Sequence, residues 1–305
     1  MASKGKNKKI SFIILVLILV VLSVFGVDNY DKLFGEFPWI TTVNNTTEHK
    51  DFKVHYIDVG QGDCSLVEAD GKFMLIDAGE NGHEQQVINY LRSAGVQKLD
   101  YVIATHQHSD HIGGMPEVLE EFAVDNIIMP KLTEAQTPTN STYTAFLKAV
   151  KNSGAKVIAS KVDTVYTLGS GSFILLGPVT NDAEDINNMS VFVKVSYGMN
   201  TFLFTGDGET EEELEVLDTG ADLDCDVLHA GHHGSYTSSC KDFLAAATPE
   251  ICVISCGADN DYGHPHDAAI KRIKKYTDEI YRTDICGSIV IQSDGKELSV
   301  SYENQ

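Results

Sequence analysis

An α/β fold of two sheets covered by outer helices, with one membrane-spanning segment ahead of it, is the class this sequence predicts. Three observations carry that expectation. A basic cluster followed by a long apolar run opens the 305-residue chain. Short apolar strands alternate with helix-patterned segments from Phe52 onward, and the two kinds of element follow the same order in both halves of that region.

Lys4, Lys6, Lys8 and Lys9 precede an apolar segment from Ile10 to about Val27, broken only by Ser11, Ser23 and Gly26. About 18 apolar residues just span a bilayer core, and the lysines hold the N-terminus in the cytoplasm. The segment is apolar on every face, unlike a core-facing helix of a soluble domain. A signal peptide shares the pattern, but Val24-Phe25-Gly26 is a weak cleavage site. An uncleaved signal anchor is therefore favoured over secretion after cleavage, and either way the remainder is exported. The expected organisation is a cytoplasmic tail (1–9), an anchor (10–27), a linker (28–51) and one folded domain (52–305). Pro38, the lone Trp39 and the polar run Asn44–Glu48 mark the linker.

Strands are expected over Phe52–Asp58, Cys64–Glu68 and Phe73–Ile76, with Asp70-Gly71 as a hairpin turn. Val87, Ile88 and Leu91 have helical spacing within His83–Ser93, and Gly95 ends that helix. Strand Tyr101–Ala104 follows, then helix Pro116–Phe122, strand Ile127–Met129 and helix Tyr143–Lys151. Lys156–Ala159, Thr164–Thr167 and Phe173–Leu176 read as further strands. Val191–Tyr197 and Thr201–Thr205 form a hairpin around Gly198-Met199-Asn200. Helices are expected over Glu209–Leu217, near Phe243–Ala247 and over Asp267–Tyr276, with strands at Cys225–His229 and Ile251–Ser255. Ser288–Gln292 and Glu297–Ser301 close the chain as a hairpin.

The chain carries 23 Lys and Arg against 44 Asp and Glu. Without the four N-terminal lysines, 19 basic residues face 44 acidic ones, a field that repels nucleic acid at long range. Any phosphate substrate must then be held by metal ions or a local basic patch. Lys271-Arg272-Lys274-Lys275 is expected to be a solvated helix face. The six cysteines lack the spacing of a stapled scaffold, and several lie inside apolar strands, so buried free thiols are expected.

The chemistry concentrates where strands end. Asp77 ends Phe73–Ile76, Asp207 ends Thr201–Gly206, and His229, His232 and His233 close Asp226–Leu228. The loop after Tyr101–Ala104 is the densest: His106, His108, Asp110 and His111 fall within six positions. Imidazole and carboxylate are ligands for zinc, manganese or iron, and four on one loop can reach two ions. Unmetallated, such a group would bury polar nitrogens without partners. Strand ends on one sheet edge converge, so these groups can share one cleft.

His106-x-His108-x-Asp110-His111, with Asp77 and Thr205-Gly206-Asp207, resembles the metallo-β-lactamase superfamily. Asp58-Val59-Gly60-Gln61-Gly62-Asp63, Asn187-Asn188-Met189-Ser190, Gly231-His232-His233-Gly234-Ser235 and Tyr262-Gly263-His264-Pro265-His266 look like the hydrolase domain of the ComEC/Rec2 competence proteins. The resemblance covers about Phe52 to Tyr302. It implies an αββα sandwich with a dinuclear site of two divalent ions, zinc or alternatively manganese. It implies His106 and His108 on the first metal, Asp110 and His111 on the second, and Asp207 as the bridge. Either His232 or His233 would complete the second site, and the other would meet the substrate or leaving group. Asp110 would also orient the nucleophilic water, and Asp77 would hold a ligand histidine.

No histidine lies between His111 and His229, so the further first-metal histidine of the wider superfamily is missing. Asn188 stands where it would fall, and an amide is a weak ligand, which weakens the first site. Asp58, Asp63, Asn188, Ser235, His264 and His266 are expected around the ligands or toward the substrate. For His264 and His266 a substrate contact or extra ligand stands beside a bland role, in which His266 or Asp267 caps the following helix. His49, His55 and His83 are expected to be structural or solvent-exposed.

The resemblance implies a phosphodiesterase or nuclease, with single-stranded DNA as one substrate. Two alternatives stand beside it: a hydrolase of small cell-envelope phosphoesters such as phosphocholine groups, and a non-catalytic exported binding module.

Overall fold

The computed structural model describes residues 52–304. The expected tail, anchor and linker, with His49, lie outside the described residues. Among the described residues no helix is long and apolar enough to cross a membrane.

Among the described residues fifteen strands form two sheets. The first contains β1 (Phe52–Tyr56), β2 (Ser65–Ala69), β3 (Lys72–Ile76), β4 (Lys98–Ile103), β5 (Ala123–Met129), β6 (Lys156–Ala159), β14 (Ile289–Ser293) and β15 (Leu298–Tyr302), in the order β15-β14-β1-β2-β3-β4-β5-β6. The second contains β7 (Val165–Leu168), β8 (Gly171–Leu175), β9 (Val193–Tyr197), β10 (Asn200–Phe204), β11 (Val227–His229), β12 (Ile251–Ile254) and β13 (Glu279–Arg282), in the order β13-β12-β11-β10-β9-β8-β7.

Side chains alternate across each strand, so a sheet buried on both faces feeds two cores. Between the sheets, Phe52, Val54, Tyr56 and Met74 meet Phe173, Val195, Phe202 and Phe204. Phe52 stacks on Tyr197 with ring centroids 4.5 Å apart. On the outer face of the first sheet, Leu66, Leu75 and Val102 pack under Val87 and Leu91 of helix Glu84–Ser93 and under Phe146 and Val150 of helix Ser141–Ser153. Leu203, Leu228 and Ile254 do the same under Val216, Phe243 and Ile273 on the second sheet. Each such side chain contributes roughly 1.5–3 kcal/mol on burial. The result is the four-layered αββα sandwich.

Strands β3 to β6 are mutually parallel, as are β10 to β13. Parallel strands leave a sheet at one edge, which gathers the loops after β3, β4, β10 and β11. The equal-halves expectation is corrected here. β14 pairs antiparallel with β1, so the C-terminal hairpin belongs to the first sheet. β13 and helix Thr283–Cys286, each four residues long, carry too little pattern to be read from sequence. All six cysteines are free, as expected, with Cys64, Cys225, Cys252 and Cys256 buried.

Candidate metal centre

The first donors come from the loop after β4, which turns directly into the short helix Ser109–Ile112. His106 and His111 are fully buried. Their rings lie 4.1 Å apart by centroid. Asp77 sets the loop. Its Oδ1 accepts from the Thr105 N–H at 2.8 Å, and its Oδ2 accepts from Thr105 Oγ1 at 2.6 Å. The same Oδ2 lies 2.8 Å from His111 Nδ1, which leaves His111 Nε2 as the free face of the ring. That Nε2 lies 3.2 Å from Asp207 Oδ1.

Asp207 follows β10 in a turn at Gly206, where φ is +49 and a Cβ would lie 2.9 Å from the Thr105 side chain. Ser190 Oγ accepts from the Asp207 N–H at 3.1 Å. The two carboxylate oxygens face different groups: Oδ1 faces His111 and His233, whereas Oδ2 lies 3.8 Å from both His106 Nε2 and His232 Nε2.

His232 and His233 both adopt φ of +52 in a 3-10 turn after β11, so their rings diverge. His233 points inward. Its Nδ1 lies 3.0 Å from the Ser255 carbonyl and 3.2 Å from Asp63 Oδ1, and its Nε2 lies 3.2 Å from Asp110 Oδ2. His232 is held at Nδ1, 3.2 Å from Thr237 Oγ1 and 3.3 Å from Glu209 Oε1.

Among the described residues three donor groups result, two of which share Asp207, while the third joins Asp63, Asp77 and His111. Asp110, His111, Asp207 and His233 offer atoms all within 4.8 Å of one another, and so do His106, His108 and Asp207. Within the first group His111 Nε2, Asp207 Oδ1 and His233 Nε2 are buried without a hydrogen-bond partner. Buried polar atoms are nearly always paired, so three orphans facing one point fit a divalent cation. Electrostatics agree. Burial works against charge throughout the cluster, yet the Asp207, Asp77 and Asp110 carboxylates hold His111 well above the ordinary histidine range. Against the same burial penalty, His111 and His233 hold Asp207 well below the ordinary carboxylate range. Imidazoles and carboxylates thus hold one another in their charged forms.

The remaining expected residues divide. Asp63 is buried against His233 and His229, and Asp77 holds His111, so both support the donors from behind. His264 borders the cavity of about 290 Å³ that also touches Asp110, Asp207, His232 and His233. Burial, then the neighbouring His233, His232 and His266, push His264 down to about 4. Its ring stacks on Tyr262.

Four of the expected residues spend their side chains on backbone and side-chain partners around the donors. Asn188 Oδ1 accepts from the Glu209 N–H at 2.9 Å, so this amide pins the loop after Asp207 and its oxygen is not turned to a metal. Asp58 Oδ1 accepts from the Gly60 N–H at 3.0 Å, making it a turn former. Ser235 Oγ pairs with Thr237 Oγ1 at 3.0 Å and lies outside the cavity wall. His266 is the N-cap residue of helix Asp267–Ile273 without a side-chain cap bond, and its Nδ1 accepts from the Tyr236 N–H at 3.1 Å. Arg272 also departs from the solvated-face reading, since its guanidinium donates to the carbonyls of Tyr236, Ser238 and Ser239. His55 is buried beside Tyr90, as a structural histidine would be. Sequence reasoning gave no role to Gln61, Asn140, Asn187 or Tyr262, which line the cavity. Neutral amides and a lone phenol carry no spacing signature of chemistry.

The model of the metallo-beta-lactamase superfamily matches residues 57–258. Among curated relatives, ComE operon protein 3 of Bacillus subtilis is 30% identical over 255 residues, covering 78% of this chain and 32% of the relative. Competence protein ComA of Neisseria gonorrhoeae is 32% identical over 234 residues, covering 76% of this chain and 31% of the relative. The chain thus spans about a third of the length of these relatives. Among solved structures, the metallo-beta-lactamase fold protein YhfI from Bacillus subtilis aligns with a TM-score of 0.53 at 16% identity, covering 80% of this chain and 100% of that one. That likeness concerns the fold alone.

Proposed function

This chain belongs to the metallo-β-lactamase superfamily, and on that premise we propose that it is an exported, membrane-anchored, metal-dependent hydrolase of phosphodiester bonds. The observation that carries the reading is the pair of donor groups sharing Asp207 beside one cavity. The similarity to competence proteins supports the phosphodiester class. The Lys4–Val27 pattern supports the anchor.

Two divalent ions, one held by His106, His108 and Asp207 and one by Asp110, His111, Asp207 and His233, would acidify water and neutralise charge developing on phosphoryl oxygens. The histidine-rich donor set suits zinc, with manganese as the alternative. Asp77 keeps Nε2 of His111 turned toward Asp207. Asp110 borders the cavity, where its carboxylate, kept ionised against burial by His111 and His233, orients the attacking water. His233 sits in the tighter donor group, which leaves His232 to the substrate. Its Nδ1 is held near Glu209 and Thr237, so its Nε2 is the atom that can pass a proton to the leaving oxygen.

One observation favours small diesters over a polymer: no Lys or Arg is among the residues bordering the cavity, nor the adjoining groove that shares His108 and Asn140 with it. The test is to purify the full-length chain in detergent, count bound metal, and follow bis(p-nitrophenyl) phosphate with zinc, manganese or cobalt. The expected result is close to two ions per chain and turnover that drops by at least about a hundredfold in Asp207→Asn, with the fold retained. Metal binding without hydrolysis under any of the three ions would favour the binding module instead.

A further inference from the structure

We infer that Gln61 is a substrate-binding residue: its side-chain amide donates a hydrogen bond to a non-bridging oxygen of the phosphoryl group. The inference rests on the phosphodiesterase reading and adds an oriented neutral donor beside the imidazoles and carboxylates of the donor groups.

The turn holding Gln61 is fixed on three sides. At Gly60 φ is +71, with the N–H donating to Asp58 Oδ1 at 3.0 Å. At Gly62 φ is +138, and a Cβ there would lie 2.4 Å from the Asp110 carbonyl oxygen. The absence of a side chain lets that carbonyl approach and accept from the Asp63 N–H at 3.1 Å. The Asp63 carbonyl in turn accepts from the Gly79 N–H at 2.8 Å. On the third side Gly257 closes in, where an added Cβ would lie 2.6 Å from the Gln61 backbone nitrogen. Gln61 is therefore registered against Asp110, a metal donor, through backbone contacts.

Its side chain is oriented as firmly. The Gly257 N–H donates to Gln61 Oε1 at 3.1 Å. Reversing the amide would set an NH2 against that N–H, so the oxygen belongs where it is and Nε2 faces away from Gly257. Nε2 is buried and has no hydrogen-bond partner. The residue borders the same cavity as Asp110, Asp207, His232 and His233. An unmet buried donor costs about 1–3 kcal/mol, a cost that an acceptor brought into the cavity would remove. Here one end is anchored and the other is kept for an acceptor. A phosphodiester offers such an acceptor as its charged oxygens, and a charge-assisted bond is about twice as strong as a neutral one.

The experiment compares wild type, Gln61→Ala and Gln61→Glu in the full-length, metal-loaded chain. Three readouts are taken: bound metal, the affinity for inorganic phosphate, and kcat/KM on a phosphodiester and its two phosphorothioate diastereomers. Gln61→Ala is expected to keep its metal while phosphate affinity and kcat/KM fall about ten- to a hundredfold. Gln61→Glu, with a carboxylate facing the phosphoryl oxygens, should fall further. The wild-type penalty for sulfur at one diastereotopic oxygen should shrink in Gln61→Ala, a change that loss of structure alone would not produce. Unchanged phosphate affinity in Gln61→Ala, metal loss in parallel with activity, or a wild type that binds no phosphate would each overturn the inference. If wild type hydrolyses no diester yet binds phosphate more tightly than Gln61→Ala, the donor role stands and the phosphodiesterase reading falls.

Discussion

Asp77 sits at φ +57 with both carboxylate oxygens committed, one to the Thr105 N–H and the other to Thr105 Oγ1 and His111 Nδ1. Burial nonetheless outweighs His111 and Thr105 and raises its pKa. Asn tolerates the left-handed backbone, so Asp77→Asn tests the side chain with little conformational cost. An amide keeps one acceptor and cannot serve both the Thr105 N–H and the Oδ2 partners. The expected outcome is a native far-ultraviolet spectrum with metal affinity weakened about ten- to a hundredfold, read by competition with a chelator. Wild-type affinity would mean that His111 needs no such hold. The donors themselves were legible because His106 to His111 lie on one loop with metal-ligand types at close spacing. What Asn188, Asp58 and Ser235 do beside the site was not legible, for a common reason. Asn, Asp and Ser bond their own backbone as readily as a ligand, and motif position does not say which.

Helix Thr210–Asp218 and helix Lys241–Ala247 are tied together through the segment that follows the histidine pair. Glu213 accepts from the Ser239 N–H at 2.5 Å and from the Cys240 N–H at 2.8 Å, while Arg272 grips the carbonyls of Tyr236, Ser238 and Ser239 from the other side. This brace could not be read from the sequence, where Glu213 looks like one acid among many on a solvated helix. Its burial has a pH signature. Desolvation outweighs the two N–H donors and the Arg272 charge and raises Glu213 from 4.5 to about 7. A raised carboxyl pKa means that stability is fullest below 4.5 and declines as pH climbs through about 7. The loss approaches about 3 kcal/mol at 1.36 kcal/mol per pKa unit. Urea unfolding of wild type and Glu213→Gln between about pH 5 and pH 8 isolates the contribution, since glutamine does not titrate. Wild type should lose stability relative to the variant as pH rises; parallel curves would show that Glu213 is ionised throughout. Element positions were otherwise largely legible, because period-2 and period-3.6 patterns are local. The pairing of β14 with β1, across more than two hundred residues, is not.

The whole molecule carries a net charge of −21, and no Lys or Arg borders the cavity or its adjoining groove. A protein that grips a nucleic-acid backbone with Lys and Arg releases counterions, so its affinity falls steeply as salt rises. Here the long-range term has the opposite sign: protein and polyanion repel, and the repulsion is strongest when the Debye length is long. Raising ionic strength from about 0.01 M to about 0.1 M shortens that length from about 30 Å to about 10 Å and relieves the repulsion. If single-stranded DNA is cleaved, kcat/KM at low substrate should therefore hold level or rise over this interval. A small diester with one negative charge should respond much less, because fewer charges are screened. The comparison separates the two substrate readings in one set of assays. A fall of several powers of ten for DNA over the same interval would demand a basic track that the described residues do not provide at the site. The small-diester reading would then give way to the polymer.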